Sequence, residues 1–86
     1  MTEDPTILQN LGINYYHLER FWDAVPLLES HSEMVPEDAI TKYFLGLSYY
    51  GEGEVSQAAE CLEQAVLLSP ALFRDEVERI IREANQ

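Results

Sequence analysis

Lysine is almost missing from this chain. Lys42 is the only one, and with four arginines it faces sixteen carboxylates, for a formal net charge of −11. A polyanion gains nothing by releasing counterions from DNA or RNA, so no nucleic-acid partner is expected. Anionic membrane surfaces repel it for the same reason. Cysteine is nearly absent too. Cys61 stands alone, so no disulfide framework can form within the chain. No apolar run approaches the roughly 18 residues of a membrane span. The start, Met1 to Pro5, lacks the basic end and apolar run of a signal peptide. These absences point to a cytoplasmic protein.

The acidity itself supports two readings. Residues 1–70 carry a net charge of −10 and residues 71–86 only −1. A partner that reads charge should therefore be basic and meet the first seventy residues, with electrostatics speeding association more than fixing affinity. Alternatively, an acid-rich and lysine-poor surface suits a high-salt cytoplasm, where screening suppresses self-repulsion.

What the chain does have is a repeat. Leu11-Gly12 recurs as Leu45-Gly46, and Tyr15-Tyr16 as Tyr49-Tyr50. Ala24 recurs as Ala58, Leu28 as Leu62, Glu29 as Glu63 and Pro36 as Pro70, all at an offset of thirty-four residues. Such a period marks one supersecondary unit used twice and stacked, each copy burying a face of the next. The whole chain of 86 residues, 47% of them hydrophobic, is one small domain. A domain of this size buries only about 60–65% of its unfolded surface. Two units lie near the floor for such arrays. The domain is marginal, self-associates, or belongs to a longer chain.

Helical spacing accounts for both units. Asp4 caps a first helix with Pro5 at its first position and Ile7, Leu8, Leu11 and Tyr15 on its apolar side, ending near His17 or Leu18. After a turn at Glu19-Arg20, a second helix is predicted over about 22–34. Its stripe is Val25, Leu28 and Met34, with Pro26 in the first turn, and Pro36 ends it. Asp38 caps a third helix over about 39–51, bearing Ile40, Tyr43, Phe44, Leu47 and Tyr50 along one side. Gly51 to Gly53 breaks the chain. Ser56 is expected to cap a fourth helix, about 57–68, with Ala58, Leu62, Ala65 and Val66 inward and Glu60 and Glu63 in water. A fifth, over 71–84, has Leu72, Val77, Ile80, Ile81 and Ala84 on one side and charges on the other. That reads as a solubility cap. Nothing alternates like a strand. The expected class is all-α with five helices.

These residues resemble the tetratricopeptide repeat (TPR) family. The first unit supplies Leu8, Leu11, Gly12, Tyr15, Ala24, Leu28 and Pro36, and the second Leu45, Gly46, Tyr49, Ala58, Leu62, Ala65 and Pro70. The likeness covers residues 5–72 in two registers: repeat one about 5–38, repeat two about 39–72, and the cap about 71–84. It implies an α–α superhelix, a right-handed solenoid of antiparallel helix pairs. Gly12, Gly46, Ala24 and Ala58 would let helices approach, and Tyr15 and Tyr49 would fill the space between units. Two residues depart from the family pattern: His31, where a small residue is usual, and Lys42, where a large apolar one is. The resemblance further implies a protein–protein adaptor whose concave groove holds a peptide or a helix of a partner. One subgroup clamps a C-terminal carboxylate, but the matching places hold Gln9, Ile13, Phe44, Arg74 and Glu78, and only Arg74 suits that task.

The groove side carries Thr6, Gln9, Asn10, Ile13, Tyr16 and His17 from the first helix and Ile40, Tyr43, Phe44, Leu47 and Tyr50 from the third. Aromatic anchors in a desolvated groove are what peptide recognition uses. Ile13, Leu47 and the Tyr16/Tyr50 pair are expected to serve packing as well. Gln9, Asn10, His17, Tyr43 and Phe44 are the contact candidates.

No catalytic residue, cofactor or metal is expected. His17, His31 and Cys61 lack ligand spacing, and Cys61 lies between Glu60 and Glu63, away from the basic neighbours a reactive thiol needs. Trp22 is expected to be a partly exposed packing residue. The function expected is a non-catalytic binding module for a basic or amphipathic protein segment. The alternatives are a self-associating domain, giving a homodimer, and a regulatory segment of a larger protein.

Overall fold

The computed structural model describes residues 4–85. Among these described residues five helices follow one another: α1 (Pro5–His17), α2 (Phe21–Met34), α3 (Ala39–Gly51), α4 (Val55–Leu68) and α5 (Pro70–Ala84). No strand occurs among the described residues, so the class is all-α as expected. The sequence period is also a structural period. Pro5, His17, Phe21 and Met34 bound the first two helices, and Ala39, Gly51, Val55 and Leu68 bound the next two at the same offset of thirty-four.

Local chemistry explains the matching ends. The Asp4 carboxylate accepts from the Thr6 N–H at 2.8 Å. Asp38 accepts from the N–H groups of Ile40 and Thr41 at 3.0 and 3.2 Å. Each satisfies N–H groups that the first turn leaves without partners. The two hairpin turns close alike: Arg20 N–H donates to the Tyr15 carbonyl, and Glu54 N–H to the Tyr49 carbonyl, both at 2.9 Å. The left-handed residue in each turn is Glu19 (φ 59°) and its counterpart Gly53 (φ 83°).

Within each hairpin a glycine sets the spacing. A Cβ on Gly12 would lie 2.7 Å from the Leu28 side chain, and one on Gly46 2.8 Å from Leu62. The leucines that fill these approaches are fully buried, which stabilises by about 2–3 kcal/mol each.

The core is two seams. Ala24, Val25, Leu28 and Leu45 form one, between α2 and α3, with Ile13, Tyr15 and Tyr49 packed on it. Leu62, Ala65, Phe73 and Val77 form the other, between α4 and α5, with Tyr43, Leu47 and Ile81 alongside. The molecule measures 44 × 25 × 18 Å along its principal axes.

His31 has a specific role at the first seam. It is buried, and its Nδ1 lies 2.8 Å from the Oγ1 of buried Thr41. Gln9 Nε2 donates to that same Oγ1 at 2.9 Å and to Asp38 Oδ2 at 3.0 Å. One polar cluster thus ties α1, α2 and α3 together. At the second seam Ala65 takes the place of His31 and lies in the apolar cluster.

Several local expectations are corrected. Helix α4 begins at Val55, with Glu54 at the capping position, so Ser56 lies inside the helix and caps nothing. Pro26 lies inside α2, beyond its first turn, so the helix forgoes the bond that residue would give to the Trp22 carbonyl. Met34 is exposed at the end of α2. In α5 the buried residue of the first turn is Phe73, while Leu72 is exposed. Pro70 opens α5, where a missing N–H costs little. Trp22 is 76% exposed.

Candidate protein-binding surface

Six ring side chains form a continuous row across four helices. Phe21 of α2 lies 5.9 Å from Tyr16 of α1, centroid to centroid. Tyr16 meets His17 at 5.2 Å and Phe44 of α3 at 5.4 Å, and His17 meets Phe44 at 5.7 Å. Phe44 meets Tyr43 at 5.4 Å, and Tyr43 stacks on Phe73 of α5 at 4.7 Å with planes 19° apart. These separations suit edge-to-face and offset-stacked pairs.

The row follows from sequence spacing. Tyr16 and His17 end α1, and Tyr43 and Phe44 stand one turn into α3. The contact of α1 with α3 brings them side by side. Tyr43 and Phe44 are half-buried and His17 is exposed. Burial, reinforced by the Glu19 carboxylate, pushes the Tyr16 hydroxyl up in pKa. Burial does the same for Tyr43, with Glu76 adding to it and Arg79 opposing. Both phenols keep their protons and remain donors at neutral pH.

The other expected groove residues are distributed as follows. Asn10 and Ile40 are exposed. Ile13 is half-buried against the first seam and Leu47 against the second. Gln9 is half-buried, its amide engaged with Asp38 and Thr41. Tyr50 leaves the row and lines an open cleft of about 190 Å³ between α4 and α5, with Val55, Ala58, Leu62, Ile81 and Asn85. Sequence reasoning missed Phe21 and Phe73 as members of the row. A signal for Phe73 existed: it stands thirty-four residues after Ala39, which packs on the second seam.

The charged groups near the row are partly paired. Arg79 pairs with Glu76 and with Glu83 on α5. Cys61 is half-buried, and burial pushes its thiol up, Glu60 and Glu29 adding and Lys42 opposing. The described residues bring no three of His, Cys, Asp and Glu together as ligands of a metal ion. None of their helices is long and apolar enough to cross a membrane.

Compared with known proteins, the chain matches no family model, no curated protein and no solved structure.

Proposed function

We propose that this chain is a non-catalytic, TPR-like binding module that holds a segment of a partner protein against the aromatic row. One observation carries the reading: Tyr16, His17, Phe44 and Tyr43 form an unbroken strip across α1 and α3, the helices that also carry exposed Asn10 and Ile40. Aromatic groups with little rotamer freedom beside polar ends are efficient anchors. The net charge of −11 favours a basic or amphipathic segment. The thirty-four-residue period of helix boundaries supports the family likeness.

Selection from a random peptide library followed by amide shift mapping tests this. Selected peptides should perturb Asn10, His17, Ile40 and Phe44, and Phe44→Ala should weaken them by about tenfold or more. Shifts confined to other surfaces would sink the reading.

Self-association is the second reading, and a separate observation favours it. Ile7 and Leu11 fall on one line of α1, with Leu18 just past its end, and they are 63%, 41% and 67% exposed. Thr41 and Leu45, the counterparts of Ile7 and Leu11 in α3, are buried. The outer side of α1 is thus built like a seam. Light scattering across concentration and salt decides. A dimer that Leu11→Glu dissolves supports this reading, and a monomer throughout removes it.

A further inference from the structure

The cleft between α4 and α5 has an internal template. Shifted back by thirty-four residues, Tyr50, Val55 and Asn85 become Tyr16, Phe21 and Gly51. At the first seam Phe21 meets both of the others. The Phe21 ring lies 5.9 Å from Tyr16 and occupies the space above Gly51, where a Cβ would come within 2.5 Å of it. The walls match as well: Ala58 and Leu62 line the cleft, and their counterparts are Ala24 and Leu28. Val55 is too short to reach as Phe21 does. The seam is left open by about 190 Å³, and its walls are mostly apolar side chains.

We propose that this cleft receives an aromatic side chain from a partner, seated as Phe21 is seated in the first seam and carried on a cationic segment. Carboxylates in the turn between two of the lining residues supply the charge preference. The turn joining Tyr50 to Val55 carries Glu52 and Glu54. Glu52 also lies close enough to Glu54 and to Glu29 of α2 for their charges to act on it. A Lys or Arg beside the inserted ring would meet these carboxylates and relieve their mutual repulsion. A ring buried in an apolar pocket beside a matched charge follows the usual division of labour in recognition: the anchor gives affinity and the charges give selection. None of the aromatic row lines the cleft, so this site and the groove proposed above can fail independently.

The test uses the full chain, labelled for amide shift mapping, and the capped tripeptide lysine–phenylalanine–lysine as probe. Two control tripeptides replace phenylalanine by alanine, or both lysines by glutamate. The probe should bind saturably with a dissociation constant of about 1 mM or below, shifting Val55, Ala59, Ile81 and Ala84. Both controls should fail. Val55→Phe supplies the missing ring internally; it should weaken the probe by about tenfold or more while raising the melting temperature. Ala84→Lys, at an exposed position of the wall, should also abolish binding with the fold intact. Equal binding of the alanine control would overturn the proposal. So would unchanged binding in Val55→Phe and Ala84→Lys, shifts on the aromatic row only, or a dimer whose contact covers the cleft.

Discussion

The ring of Phe21 occupies the space that a side chain at position 51 would need: a Cβ on Gly51 would stand 2.5 Å from its Cδ2 and Cε2. Two opposed effects decide what Gly51→Ala does. Helix propensity favours alanine by about 1 kcal/mol. Overpacking costs about 1–3 kcal/mol when the neighbour has nowhere to go. Phe21 also packs against the Tyr16 ring, so overpacking should win and urea denaturation should report a net loss. In Phe21→Leu the same Gly51→Ala change should cost less, giving a coupling of about 0.5 kcal/mol or more. Equal costs in both backgrounds would mean that the ring simply moves aside.

Thr41→Val should be far more damaging than its size suggests. Thr41 Oγ1 accepts from Gln9 Nε2 and lies within hydrogen-bond distance of His31 Nδ1, and both Thr41 and His31 are buried. Valine keeps the volume and removes the hydroxyl, leaving a buried ring nitrogen unpaired at about 1–3 kcal/mol. His31→Ala imitates Ala65 at the second seam and leaves a cavity. The double variant should lose less than the two single losses added together, because both remove one cluster. Strict additivity in urea melts would show that the cluster does not act as a unit.

How much of this was legible in the sequence depends on distance along the chain. The limits of α1 and α3 were readable because Asp4 and Asp38 cap their own helices two or three residues away. Ser56 misled as a cap because serine suits that role chemically, while the repeat register, set by Phe21 in the first unit, places the start at Val55. The aromatic residues of α1 and α3 stood out by helical spacing. Phe73 did not, because α5 lacks the Leu-Gly and double-tyrosine signature and its first turn is shifted. His31 was visible as an oddity, but its partner Thr41 sits on the next helix. The α4/α5 cleft depends on how far the side chain at position 55 reaches toward Asn85, thirty positions away, and no local pattern encodes that.

Glu19→Gly should stabilise the domain. Glu19 holds φ at 59°, where its counterpart in the second turn is Gly53 at 83°. A non-glycine residue there costs about 1–2 kcal/mol from its Cβ. Glycine removes that strain and returns part of it as unfolded-chain entropy. The net gain should be about 0.5 kcal/mol, measured by thermal melting. Gly53→Ala should do the reverse and lose about 1 kcal/mol. A loss in Glu19→Gly would mean that its carboxylate makes a contribution larger than the backbone strain.

Tyr49→Phe should weaken the first seam and flatten its response to base. The Tyr49 hydroxyl donates to the Glu29 carboxylate and joins α3 to α2. Burial first, and then that bond and the Glu29 charge, raise its pKa above the ordinary 10.0. The folded chain therefore keeps a proton that the unfolded chain loses. This contribution is complete below the unfolded value and declines as pH rises through the folded one. At pH 7 the variant should lose about 1 kcal/mol, in keeping with one partly exposed hydrogen bond. Between about pH 10 and pH 11.5 the wild-type chain should lose stability more steeply than the variant. Tyr16 and Tyr43, also raised by burial, leave a residual slope in both. Urea midpoints across that range decide the matter. Parallel curves for the two proteins would place the Tyr49 proton outside the balance of folding.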